Sequence, residues 1–439
     1  MPQVSTTPSG PPIELERRPG ASNSHFESEL TPTPEAQVPD LDGGYGWVVV
    51  SACAVLAWWC IGTTYSWGII QAALVKQGLS STSTLSFVGS STTACVAGLA
   101  VINARVIRFL GARRTALLGV SLMGLGQILS GFATLNIAAL FVTAGAITGI
   151  GTSLCFMVVS VIPAQYFSKR RGLATGIVYA GGGLGGAVTS FAMDGLIRAL
   201  GPPWTFRIIG IITLATGLPA ACLVKERSKI RTTGFIEWSL FRDLRFGVLF
   251  VAGALGIFPL LVPPFFLPLY SASLGLTPSA GAGLVAGFSF ASALGRVGCG
   301  FASDLIGPVT VLFFALLLNA ISMLAIWPVS NSLAPLILFV IVNGVANGGF
   351  FSTMPTVVLA VFGSARVSIA MGMIVTGWVG GYLMGAPIAA YLLNAYGGAE
   401  STLSAYHPAM FYAGSMASGA AGLVSLVRLK MSTNVFAKI

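Results

Sequence analysis

Charge is what this chain lacks. Only 8% of its 439 residues are Asp, Glu, Lys or Arg, against roughly 25% in a soluble domain. So few charges cannot give a globule of this length a polar surface, which excludes a water-soluble fold. Carboxylates are scarcer still beyond the N-terminal stretch: seven of the thirteen precede residue 43. Histidine occurs twice. No His, Asp and Glu cluster therefore exists in the apolar part, so neither a metal site nor an acid–base catalytic centre is expected, and no cofactor motif is present. The six cysteines, Cys53, Cys60, Cys95, Cys155, Cys222 and Cys299, fall inside apolar runs without a CxxC pair, excluding a disulfide framework and a zinc site. No Asn-x-Ser/Thr acceptor occurs, and no apolar h-region of a cleavable signal precedes the first long apolar run.

What is there is apolar bulk and glycine, 55% hydrophobic residues and 55 glycines, the composition of close-packed helices in lipid. From Gly46 onward apolar stretches of about 20 residues recur, long enough to cross about 30 Å of hydrocarbon. Their spacing predicts an all-α polytopic membrane protein with twelve transmembrane helices in two six-helix bundles. The predicted organisation is a proline-rich, acidic, disordered tail over 1–42, a first bundle over 43–224, a charged linker over 225–243, a second bundle over 244–430 and a short tail over 431–439. Pro163, Pro259, Pro263, Pro264, Pro355 and Pro387 fall inside spans, where neighbouring helices can satisfy the carbonyls they free.

The net charge of +10 does not point to nucleic acid, because the cations sit in short loops between apolar runs. Placing the tail, the linker, the alternate loops and the C-terminus on one side collects 20 of the 23 Lys and Arg residues. Only Lys76, Arg198 and Arg207 remain opposite. Positive loops resist translocation, so both termini are expected in the cytoplasm.

Two loops carry related glycine patterns, Arg108-x-x-Gly111-x-Arg113-Arg114 after span two and Gly300-x-x-x-Asp304-x-x-Gly307 after span eight. A tight glycine turn with a cation or carboxylate at a helix end can act as a latch that pairs only while one side is closed. Such loops resemble the signature of the major facilitator superfamily, with Arg108 standing where that family has its acid. More specific is Asp42-Gly43-Gly44-Tyr45-Gly46-Trp47 before span one. Its glycines permit a sharp turn into the membrane, and Tyr45 and Trp47 suit the interface. Together with Tyr166-Phe167-Ser168-Lys169-Arg170-Arg171-Gly172 after span four, it resembles the monocarboxylate-transporter family, in particular its fungal branch. That resemblance implies a secondary carrier in the plasma membrane, moving a small-molecule solute with a coupled proton.

Inside the spans one ionisable residue stands out. Arg296 is eight residues from Asp304, roughly 12 Å deeper at about 1.5 Å per residue. An intramembrane charge is costly and marks a functional site, and an arginine can hold a carboxylate through two N–H groups. The resemblance implies the same, since related animal carriers keep a substrate-binding arginine in this span. Their proton-coupling aspartate and lysine positions fall here on Ser292 and near Ile69. Tyr65, Asn343 and Asn347 are expected to line the cavity with Arg296. Asp194 should lie at the outer interface, and the span-five glycines read as close packing. Two readings of the solute stay open: a small organic anion, or a hydrophobic metabolite leaving the cell. A non-transporting receptor on the same fold would call for a longer tail or loop.

Overall fold

The computed structural model describes residues 43–167, 171–227, 237–398 and 402–431. Asp42, Lys169 and Arg170 of the signature, the expected tail over 1–42, part of the linker and residues 432–439 lie outside the described residues. Among the described residues all regular structure is helical.

Helix α1 is Tyr45–Lys76, α3 Ala112–Ala133 and α4 Ile137–Val161; α2 is a pair, Thr82–Gly98 and Ala100–Leu110, bent by 61°. Next comes one run, Arg171–Leu223, of 53 residues. At about 1.5 Å per residue it is roughly 80 Å long, far more than one bilayer crossing needs. It breaks at Gly201, whose φ of 78° and ψ of 171° only glycine adopts readily. It therefore makes two spans, α5 over 171–200 and α6 over 202–223. The second half holds α7 Leu244–Ser273, α8 Pro278–Ile306, α9 Pro308–Ile326, α10 Leu333–Gly363, α11 Ile369–Ala395 and α12 Leu403–Met431. With the bent pair counted once and the long run twice, the described residues make twelve spans, as the apolar spacing predicted.

The two halves are cut by the same local devices. Ser81 caps α2 through Thr84 N–H at 3.3 Å, and Thr277 caps α8 through Ala280 N–H at 3.3 Å. Both helices end on glycines of left-handed backbone, Gly111 at φ 80° and Gly307 at φ 94°. Small residues then set the packing. Within the first half Gly62 of α1 meets Gly185 of α5, and Gly149 of α4 meets Thr92 of α2. Six helices on, Gly385 of α11 meets Phe258 of α7, and Gly348 of α10 meets Ser292 of α8. Between halves, Gly183 and Gly186 of α5 pack on Ala293 and Ser289 of α8, while Gly98 of α2 packs on Val379 of α11. Adding six to each helix number exchanges these two seams, the mark of a pseudo-twofold duplication. Gly181, Gly182, Gly183, Gly185 and Gly186 of α5 are thus packing surface, as read from their context, whereas Gly176 has open space beside it.

Helices α1 and α7 meet at the centre. Gly68 is pressed against α7 so closely that a Cβ there would lie 2.1 Å from the Pro264 carbonyl oxygen. Helix α7 is itself interrupted: Phe258–Leu261 forms a turn beside Pro259, leaving the Leu260 carbonyl outside the helical ladder. The freed carbonyl becomes part of the site.

The signature residues form a corner. Gly44 takes φ 58°, the sharp entry expected of paired glycines. The Trp47 ring then packs edge-on against Phe167 at 4.8 Å, and the Tyr45 hydroxyl donates to the Leu223 carbonyl at 2.8 Å. Tyr166 donates similarly to the Lys225 carbonyl at 2.8 Å. Tyr45 and Trp47 were expected as interfacial anchors; they also tie the start of α1 to the loop after α4 and the end of α6. Arg171 opens the long helical run.

Candidate functional site

Arg296 sits on α8 beyond its midpoint, on the face where Ser289 and Ala293 pack against Gly183 and Gly186 of the other half, while Ser292 and Gly295 pack on α10. Its residue is only 6% exposed. Nη1 donates to the Tyr179 carbonyl of α5 at 2.9 Å, and Nη2 donates to the Tyr65 hydroxyl of α1 at 3.1 Å. The side chain thus crosses from the second half to two helices of the first. Its guanidinium carbon also stands 5.5 Å from the Phe351 ring centroid and 5.9 Å from that of Tyr179, within cation–π range.

A chain of hydrogen bonds continues from this cation. Tyr65 donates to Asn347 Oδ1 at 2.9 Å, Ser292 donates to the same oxygen at 3.4 Å, and Asn347 Nδ2 donates to the freed Leu260 carbonyl at 3.0 Å. Helices α1, α5, α7, α8 and α10 therefore converge on one buried polar network. Around the network stands an aromatic wall. Phe288 packs edge-on against Tyr65 at 5.7 Å, and Trp378 contacts Phe350, Phe351 and Tyr382 at 5.7 to 6.3 Å.

The charge balance of this network is open. Every group that touches Arg296 is neutral, and its Nε–H is buried with no acceptor. A buried guanidinium without a counter-charge is unfavourable by several kcal/mol, and an unmet donor adds to that.

Of the expected lining residues, Arg296, Tyr65 and Asn347 are brought together. Asn343, one turn before Asn347, faces elsewhere. It donates to Asn319 Oδ1 at 3.1 Å and Ser322 Oγ at 2.7 Å of α9, a pairing inside the second half. A helical turn advances 100° per residue, so four residues drift about 40°, enough at this seam to exchange one neighbour for another. Ser292 was visible one turn before Arg296, but Phe351 and the Tyr179 and Leu260 carbonyls carry no sequence signal. Asp194, expected at the outer interface, is buried within the protein and paired with Arg198 at 2.9 Å.

The latch residues divide. Gly111 and Gly307 make their turns, and the Glu226 carboxylate comes to 3.6 Å from the place a Gly111 Cβ would occupy. An acid thus reaches the first loop from the linker. Arg108 and Arg113 are exposed, Gly300 has open space beside it, and Asp304 is exposed and makes no ion pair among the described residues. No pairing of Asp304 with Arg108 or Arg113 is formed in this conformation.

Twelve spans among the described residues, in two halves joined by pseudo-twofold seams around a buried polar network, define a multi-pass membrane protein of transporter architecture. The family model for the Major Facilitator Superfamily matches residues 47–286 and 246–435, and the chain belongs to that family. Among similar proteins, the aspyridones efflux protein of Emericella nidulans is 26% identical over 407 residues, covering 91% of this chain and 82% of its own. Monocarboxylate transporter 4 of Gallus gallus is 26% identical over 383 residues, covering 80% and 78%. In fold the chain is similar to the crystal structure of the nucleoside transporter NupG, with a TM-score of 0.70 at 12% identity over 88% of this chain and 100% of that one. The monocarboxylate-transporter-like resemblance read from the signature loops is therefore upheld.

Proposed function

We propose that this transporter carries a small organic anion by alternating access, with Arg296 binding the anionic group. The observation that supports it is the uncompensated guanidinium, buried at the meeting of both halves with its Nε–H unmet. A carboxylate would supply two acceptors and the missing charge. Tyr65 and Asn347 would orient it, and the aromatic wall of Phe288, Phe351, Trp378 and Tyr382 would receive an apolar body. Both termini face the cytoplasm in this reading, because the cation-rich loops lie on their side. The α1–α7 and α2–α11 contacts then close the outer side, and the unformed Asp304 latch belongs to the opposite, inner side.

The reading is tested with purified protein in vesicles, measuring uptake of labelled acetate, lactate, benzoate and phenylpyruvate. Saturable uptake should fall at least tenfold in Arg296→Ala, while Arg296→Lys keeps charge but loses the fork. Equal uptake in wild type and Arg296→Ala refutes it. A second reading, export of a hydrophobic metabolite, is favoured by the aromatic wall and by the similarity to an efflux protein. It predicts that neutral aromatic solutes compete with the anions and that Trp378→Ala impairs flux more than Arg296→Ala.

A further inference from the structure

Resting on the anion reading, we propose that the carrier works as an anion exchanger, in which the solute itself serves as the counter-ion of Arg296. Five carboxylates lie among the described residues, Asp194, Glu226, Glu237, Asp243 and Asp304. Glu226, Glu237 and Asp243 lie between α6 and α7. Asp304 ends α8, eight residues from Arg296, about 12 Å along the helix. Asp194 of α5 is engaged at 2.9 Å by Arg198. None of these five pairs with Arg296. The groups that touch it from α1, α5 and α10 are the Tyr65 hydroxyl, the Tyr179 carbonyl and ring, and the Phe351 ring, all without formal charge.

The two transport steps then differ. A loaded carrier rocks with guanidinium and carboxylate neutralising each other. The empty carrier must pass through its closed state with a bare buried cation, losing the water that solvates it while a side is open. Its return is the slow step, and an anion on the receiving side removes it by riding back. No proton need move, since none of the described carboxylates lies at the site to carry one. Exchange of one monoanion for another transfers no net charge, whereas net uptake moves one elementary charge with the returning empty carrier.

The test uses the full chain in vesicles at equal pH on both sides, with the membrane potential held at zero by potassium and valinomycin. Initial uptake of labelled benzoate is compared in empty vesicles and in vesicles preloaded with unlabelled benzoate, and the comparison is repeated with labelled lactate. Preloading should accelerate wild-type uptake by roughly tenfold to a hundredfold, the scale set by an unpaired buried charge. An interior-positive potential should speed uptake into empty vesicles and leave exchange unchanged. Equal rates into empty and preloaded vesicles, or voltage-insensitive uptake driven by an acid exterior, overturn the proposal while leaving an Arg296-dependent anion carrier intact. Absence of Arg296-dependent uptake of any carboxylate fails the anion reading itself, and exchange with it. Ser292→Asp provides an internal counter-charge one turn from Arg296. It should raise uptake into empty vesicles toward the exchange rate, whereas Ser292→Asn keeps the wild-type ratio. An active Ser292→Asp protein with the wild-type ratio also overturns the proposal, and the wild-type comparison decides alone if that variant does not fold.

Discussion

Gly68→Ala tests whether the contact between α1 and α7 is a gate. A Cβ built at Gly68 falls 2.1 Å from the Pro264 carbonyl oxygen and 2.8 Å from the Phe265 Cα, where ordinary contact begins at 3.4 Å. Both obstacles are backbone, so no side chain can rotate away. The helices must separate locally by more than 1 Å or the closed state must strain. Overfilling a packed seam costs about 1–3 kcal/mol, which lowers the closed population roughly 5- to 150-fold at 1.36 kcal/mol per decade. The reporter is a neighbouring seam on the same side. Asn394 Nδ2 and Ser83 Oγ are 3.4 Å apart between α11 and α2, so Ser83→Cys with Asn394→Cys, in a background freed of native cysteines, should form a disulfide readily. Gly68→Ala should cut that yield and slow transport. Gly380→Ala, where a Cβ meets nothing within 4 Å, is the control and should change neither. Equal disulfide yield and equal transport in Gly68→Ala and wild type would show that the seam does not gate.

Tyr65→Phe removes the hydroxyl that joins Arg296 to Asn347, and should raise KM for anions severalfold while shifting stability by about 0.5–1.5 kcal/mol, read from thermal unfolding in detergent. Asn347→Leu strands the Leu260 carbonyl at the α7 break, so its midpoint temperature should fall further than that of Asn343→Leu if the broken span is the more delicate element; the same scan reports both. Gly111→Ala and Gly307→Ala place a Cβ on left-handed backbone at equivalent turns and should each destabilise by about 1–3 kcal/mol. Asp243 caps α7 through Arg245 N–H at 2.9 Å and pairs with its guanidinium at 2.9 Å; that hydrogen-bonded pairing holds its carboxyl below the usual range. A depressed folded value means the contribution is present above the ordinary aspartate range and is lost as pH falls through the folded value. Asp243→Ala should therefore lower unfolding temperature near neutrality and narrow its gap to wild type in acid.

The sequence by itself determined the solvent, the helix count and the duplication. Those follow from quantities additive along the chain: too few charges for water, apolar runs matched to bilayer thickness, and glycine turns at Gly111 and Gly307 that recur at equivalent places. The corner signature was likewise legible, because Gly43, Gly44, Tyr45 and Trp47 act within a few residues of one another. Arg296 could be singled out for the same reason, as a charge at a depth set by counting residues. What surrounds it could not. Tyr179 lies 117 residues away and Tyr65 231, and only the meeting of α1, α5 and α8 decides that a carbonyl and a phenol face the cation. Asn343 and Asn347 look interchangeable one turn apart, yet the helix rotation between them sends one to α9 and the other to the α7 break. The Leu260 carbonyl became an acceptor because prolines opened a helix, an event that polar patterning does not record. Local rules fix which residues are costly to bury; the tertiary structure decides which of them share the cost.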